Sequence, residues 1–165
     1  IGGDAMDAGI IRFIRRQYNL AIGERSAEEL KIELGSAYPL PEEEKRTGEA
    51  RGRDQVSGLP KNVILNAGEI RAALKEPIDT IINGIRQVVE KTPPELVADI
   101  MHQEIVMTGG GALLAGLDRL VARELSMEVR LADDPMACVV KGAGQTLEHL
   151  DNLKRALVGS KKSTR

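Results

Sequence analysis

The sequence predicts an α/β fold interrupted by a small inserted α+β subdomain, and three observations carry this reading. The last third alternates short apolar strands with helical segments. A long amphipathic stretch, about Ala67 to Lys91, precedes it. Between an opening helix and that long helix, residues 20–66 change character, to a short helix, a charged loop and two β-like stretches. Strands that alternate with helices build a layered α/β unit, and a segment of different rhythm inside such a unit reads as an insertion.

The opening Ile1-Gly2-Gly3-Asp4 predicts a turn feeding a helix, with Asp4 as its N-cap. Met6, Ile10, Phe13, Ile14 and Tyr18 recur at helical spacing, and Arg12, Arg15 and Arg16 fall largely on other faces. Ser26 and Glu29 form an S-x-x-E pair, the pattern of a reciprocal capping box, ahead of Leu30 and Leu34, with Ile32 flanking and Gly35 as the stop. Tyr38 to Gly48 holds two prolines and the run Glu42-Glu43-Glu44-Lys45-Arg46, which predicts an exposed loop. Glu49 to Val56 and Asn62 to Asn66, separated by Ser57-Gly58-Leu59-Pro60, predict an antiparallel hairpin.

The long helix carries Ile70, Leu74, Ile78, Ile81, Ile82, Ile85, Val88 and Val89 on one face, and Pro77 is expected to kink or divide it. Thr92-Pro93-Pro94 ends it and starts a short helix. Glu104 to Thr108 predicts a short buried strand, Gly109-Gly110-Gly111 a tight turn, and Leu113 to Val121 a helix. A strand over Glu128 to Leu131 leads to Asp134 as N-cap and Pro135 at the first position of a final helix ending near Leu157. The expected division is therefore a core subdomain of residues 1–19 and 67–158, an inserted subdomain of 20–66, and a tail of 159–165.

Composition bounds the chemistry. Hydrophobic residues make up 42 % of 165 residues, enough for a core, but aromatics only 2 %, so the core is aliphatic. The near absence of aromatic faces and a net charge of −2 argue against nucleic-acid binding. The basic tail Lys161 to Arg165 reads as a solvated terminus. The single cysteine, Cys138, lies in the run Ala137-Cys138-Val139-Val140 and reads as a buried small hydrophobe, and its solitude fits a reducing cytosol. No apolar stretch is long enough to span a bilayer, and no signal peptide is expected. The first residue is Ile1, which suggests a processed or truncated piece of a longer chain.

The strand-to-glycine turn Val106 to Ala112 is the best candidate site. Glycines let a ligand approach the backbone, and a following helix N-terminus offers free N–H groups. The spacing matches neither the dinucleotide fingerprint nor a Walker A loop, so a plain βα turn remains an alternative. Glu28 and Lys31 share one helix face; they are either a surface ion pair or a pair that grips ribose hydroxyls, the carboxylate accepting and the ammonium donating. Asp4 and Asp7 are explained by capping and by stabilisation of the first turn. His102 and His149 have no partners at metal-ligand spacing, and no nucleophile triad is suggested.

Several stretches together resemble the MreB family of bacterial actins. They are G-G-D-x-M-D at Gly2 to Asp7, the run from Tyr18 to Pro39, R-G-R-D-x-V-S-G-L-P-K at Arg51 to Lys61, T-P-P-E-L-V-A-D-I at Thr92 to Ile100, and T-G-G-G-A-L-L-x-G-L-D at Thr108 to Asp118. The resemblance covers the chain to about Leu150 and implies an actin-like ATPase fold, here a ribonuclease H-like core subdomain with a partial sheet. It implies an ATP-binding filament subunit that maintains cell shape and guides cell-wall synthesis. It further implies ATP or ADP with Mg2+ as ligand, self-assembly, partners such as RodZ, and a cytoplasmic position at the inner face of the membrane. In that superfamily an E-x-x-K and a T-G-G-G turn enclose the adenosine, which maps onto Glu28, Lys31, Thr108, Gly109, Gly110 and Gly111.

The family's two phosphate loops, its catalytic carboxylates, its membrane-binding segment and three strands of the sheet are not among these residues. The chain by itself is therefore expected to expose apolar strand edges, to bind ATP weakly or not at all, and to be inactive. A calorimetric titration with ATP measures the affinity. Alternatives are another ATPase of the same superfamily, such as a sugar kinase or an Hsp70-like protein, and a nucleotide-independent interaction module.

Overall fold

The computed structural model describes residues 2–39, 41, 45–101 and 103–149. The acidic run Glu42 to Glu44, His102, the expected end of the final helix near Leu157 and the tail 159–165 lie outside the described residues.

Helix α1 (Gly3–Tyr18) buries Met6, Ile10 and Ile14 almost completely, as their spacing requires. Each such side chain contributes about 1.5–3 kcal/mol when removed from water. Asp4 is not the cap: Gly2 takes that place in extended conformation, without a side-chain bond, and Asp4 lies in the first turn. Its negative charge there still meets the positive end of the helix dipole. Asn19 closes α1 in the left-handed region, at φ 52°, a conformation Asn tolerates.

Strand β1 (Leu20–Ala21), which the sequence did not reveal, joins β2 (Thr47–Asp54) and β3 (Pro60–Asn66) in an antiparallel sheet of order β1-β2-β3. Leu20 faces Asp54, and Glu49 faces Ile64. Helix α2 (Glu24–Leu34) packs on the inner face, where Gly48 and Ala50 are small enough to admit it; a Cβ on Gly48 would lie 3.0 Å from Leu34 Cδ1.

The predicted Ser26–Glu29 capping box does not form. Helix α2 begins at Glu24 with Gly23 as N-cap, so Ser26 sits inside the first turn, and Glu29 instead accepts a 3.0 Å bond from Arg25 Nε. Gly is an adequate N-cap and Glu24 suits the positive helix end, so the helix extends three residues further back. The capping box of this protein is elsewhere. At the start of α3 (Ala67–Lys91), Asn66 Oδ1 accepts from Glu69 N at 3.0 Å, and Glu69 Oε2 accepts from Asn66 N at 2.9 Å. The second Glu69 oxygen accepts from the Tyr18 hydroxyl, which raises the Tyr18 pKa and ties the end of α1 to the start of α3.

Pro77 does not divide α3, which is helical throughout. Pro77 has no N–H to offer the carbonyl of Ala73 four residues earlier. That carbonyl faces α1 at Gly9, where a Cβ would lie only 2.9 Å from Ala73 O and 3.7 Å from Pro77 Cγ. The missing side chain of Gly9 lets two helices meet closely over the altered turn.

After α4 (Pro94–Met101), β4 (Ile105–Met107) and β5 (Val129–Leu131) form a parallel pair, Ile105 opposite Val129. The expected buried strand is not buried: β4 alternates half-buried and exposed, and Val106 is 44 % exposed. Strand side chains are buried by elements packed on the faces of the sheet, and the face that carries Val106 is left open.

The helix expected from Leu113 begins later. Gly110–Leu113 is a short 3-10 turn, Ala115 pairs with Ser36 as an isolated bridge, and only then does α5 (Leu117–Leu125) start, after Gly116 at φ 71°. The final helix α6 (Cys138–Glu148) likewise starts late, with Ala137 and not Asp134 as N-cap. Pro135 O accepts from Gly109 N at 2.8 Å, which holds residues 134–137 as a turn against the glycines. Asp134 instead pairs with Lys141 Nζ at 2.7 Å, which lowers the Asp134 pKa. Cys138 is half-buried, not a core residue; its thiol donates to Asp134 O at 3.2 Å.

One aliphatic cluster joins these parts: Met6, Ile10 and Ile14 of α1, Leu30 and Leu34 of α2, Leu65 of β3, Ile70 and Leu74 of α3, Leu117 and Val121 of α5. The core therefore sits where α1, α2 and α3 meet.

Candidate functional site

A cavity of about 550 Å³ opens between the N-terminal end of α1, the outer face of α2 and the glycine turn after β4. Its lining includes Glu28, Lys31 and Ile32 from α2, Gly110 and Gly111 from the turn, and Met136 from the β5–α6 connection. The sequence-predicted residues of two distant segments thus come together around one space. Thr108 and Gly109 do not line it: Thr108 is exposed, and Gly109 shapes the turn at φ 82°, a conformation that favours glycine.

Local bonds explain how the two walls meet. Where α2 ends at Gly35, the chain runs beside Ala115, with Ala37 N donating to Ala115 O at 2.8 Å. A Cβ on Gly35 would meet Lys31 O at 2.2 Å and Leu114 Cδ1 at 3.1 Å, so the floor closes only around glycine. Ser36 beneath it is fully buried and its hydroxyl accepts from Arg71 Nη1 at 3.3 Å. The bond from Gly109 N to Pro135 O brings Met136 over the turn, 3.0 Å from the position of a Cβ on Gly110.

Glu28 and Lys31 are not a surface ion pair with each other. Glu28 is exposed and makes no hydrogen bond or ion pair among the described residues. Lys31 Nζ instead lies 2.9 Å from the Asp7 carboxylate, and both side chains are about 15 % exposed, 15 % for Lys31 and 14 % for Asp7. Asp7, expected only to steady the first turn of α1, is the counter-ion of the cavity's lysine.

The sequence reading missed Ile32, Met136, Leu113 and Arg46, which also line the cavity. Ile32 offered a signal, as a β-branched apolar residue on the polar side of α2, and it is 75 % exposed. Leu113 and Met136 are also exposed, at 55 % and 66 %. Exposed apolar side chains beside a carboxylate and an ammonium suit a ligand that joins a flat ring to a group bearing hydroxyls. Among the described residues no group of three His, Cys, Asp or Glu is placed to hold a metal ion. No helix among them is long and apolar enough to cross a membrane.

Known proteins share the sequence and the fold of this chain. The family described as MreB/Mbl protein matches residues 1–155. The cell shape-determining protein Mbl of Bacillus subtilis is 44 % identical over 155 residues, 94 % of this chain and 46 % of that protein. The cell shape-determining protein MreB of Escherichia coli is 46 % identical over 151 residues, 92 % of this chain and 43 % of that protein. The chain thus spans somewhat under half the length of these relatives. A crystal structure of MreB 5 of Spiroplasma citri bound to AMPPNP superposes with a TM-score of 0.86 at 34 % identity, covering 93 % of this chain and 46 % of that one. The same protein bound to ADP gives 0.86 at 35 %. A MamK double helical filament shares the fold at 20 % identity and a TM-score of 0.64. With the fold and the shared sequence in agreement, the chain belongs to the MreB/Mbl family of actin-like proteins.

Proposed function

We propose that this chain forms the adenosine-binding wall of an ATP-dependent actin-like filament subunit that acts in cell-shape maintenance and in guiding cell-wall synthesis. The observation that carries the reading is the meeting of Glu28 and Lys31 with Gly110 and Gly111 around one cavity. A carboxylate accepts from ribose hydroxyls, an ammonium donates to them, and glycines admit the ligand to the backbone. Two structures of MreB 5 that hold AMPPNP and ADP support nucleotide as the ligand. Mg2+ would arrive with the phosphates, since that ion takes few protein ligands and keeps its waters. The residues described here supply no carboxylate cluster for it.

Residues 1–19 and 67–158 act as the core subdomain in this reading, and 20–66 as the inserted one, so the cavity lies at their seam. Nucleotide state then biases how the cleft closes and, through closure, how subunits assemble. Self-assembly, membrane-associated partners such as RodZ, and a place at the inner face of the cell membrane belong to the same proposal.

The test is nucleotide affinity and ATP-dependent sedimentation of the full-length protein with Glu28→Ala beside the parent. The expected outcome is a loss of about ten-fold in ATP affinity, the worth of a charged hydrogen bond, with sedimentation shifted to higher ATP. Unchanged affinity and sedimentation would remove Glu28 from the site and the cavity from the function.

A further inference from the structure

We infer that Asp7 is a positioning residue for the ligand, acting through Lys31; the inference rests on the nucleotide reading of the cavity. Asp7 does not line the cavity. It stands behind Lys31 on α1, and Lys31 Nζ lies 2.9 Å from both of its carboxylate oxygens, in hydrogen-bond geometry to Oδ2. Oδ1 is buried and accepts no hydrogen bond from any described residue. On another side the ammonium meets the α1 backbone: a Cβ on Gly3 would lie 3.3 Å from Nζ.

A lysine has four rotatable bonds, and a free one must be ordered when a ligand binds. Here the ammonium is already confined between a carboxylate and a glycine. An ammonium has three donors, so after serving Asp7 it retains donors for the cavity. Asp7 also removes the cost of holding a half-buried cation when no ligand is present. Glu28 cannot do this work, since it is exposed and unengaged among the described residues. Among the described residues the carboxylate's hydrogen-bond and ion-pair partner is the ammonium of Lys31.

A merely structural salt bridge between α1 and α2 would change stability and leave ligand preference alone. The test is therefore a double-mutant cycle in the full-length protein, with Asp7→Asn, Lys31→Met and both together. Affinities are measured for ATP and for 2′-deoxy-ATP at a temperature where every variant is folded. Lys31→Met is expected to weaken ATP about ten-fold, the worth of a charged hydrogen bond, and to reduce the preference for ATP over the deoxy form. Asp7→Asn is expected to reproduce most of both effects, and to add little on top of Lys31→Met. Asp7→Glu, which keeps the charge but displaces the ammonium by one methylene, is expected to fall between, and it decides the matter if Asp7→Asn does not fold. Asp7 variants that lower stability yet keep parental affinity and preference would overturn the inference while leaving the nucleotide reading intact. Parental affinity in Lys31→Met would overturn both.

Discussion

Gly9 and Gly84 both lie inside helices, α1 and α3, and from sequence alone Gly→Ala should help at either position. Ala exceeds Gly in helix propensity by about 0.8–1 kcal/mol. The structure separates them. At Gly84, exposed on α3, nothing lies within 4 Å of an added Cβ. Gly84→Ala should therefore gain roughly 0.5–1 kcal/mol, part of it by restricting the unfolded chain. At Gly9 the methyl would stand 2.9 Å from Ala73 O, a backbone atom that cannot swing away. Overpacking of this kind costs about 1–3 kcal/mol, which cancels or exceeds the propensity gain and leaves Gly9→Ala destabilised by up to about 2 kcal/mol. Urea unfolding reads the difference: with a slope of roughly 2 kcal/mol/M, the midpoint should rise by about 0.25–0.5 M for Gly84→Ala and fall by up to about 1 M for Gly9→Ala, at unchanged slope. A Gly9→Ala midpoint that rises as much as that of Gly84→Ala would refute the close helix contact over Pro77.

Two further predictions concern the hairpin and the helix starts. Asp54 accepts from the backbone of Ser57 and Val56 and from Lys61, and these bonds hold its pKa well below the usual carboxylate range. A depressed folded pKa stabilises above the unfolded value and loses that contribution as pH falls through and below about 4. Asp54→Asn should therefore flatten the acid side of a stability-versus-pH profile, and an unchanged acid slope would count against the bonded turn. Asn66→Ala should cost about 0.5–2 kcal/mol through loss of the α3 capping box, whereas Ser26→Ala should be neutral or slightly stabilising because Ser26 is interior to α2. Thermal melts that reverse this order would restore the S-x-x-E reading of the sequence.

The elements that the sequence predicted well are those whose signal is local and repeated. The apolar period of 67–91 predicted α3, and two β-like stretches around turn residues predicted the β2–β3 hairpin, with each strand starting two residues earlier than expected, because burial of one face and turn stereochemistry act within a few residues. The same kind of reading failed where a distant partner decides. Asp134 and Pro135 carry the pattern of a helix start, but the bond from Gly109 N to Pro135 O holds them in a turn. Leu113 and Leu114 carry a helical pattern, but the pairing of Ala115 with Ser36 delays α5. Strand β1 is two residues long and exists only because Gly52 leaves room for it; a Cβ there would lie 2.2 Å from Ala21 O.

The candidate site divides in the same way. Glu28, Lys31 and the glycine turn were legible as residue types at meaningful spacing, and shared motifs with a known family pointed to them together. That Gly110 and Gly111 line the cavity while Thr108 and Gly109 do not, that Ile32 and Met136 border it, and that Lys31 pairs with Asp7 and not with Glu28, only the tertiary structure decided. Periodicity assigns a residue to a face of its own helix. Which side chain of a second helix meets that face depends on the crossing of α1 over α2, and no spacing within either segment encodes it.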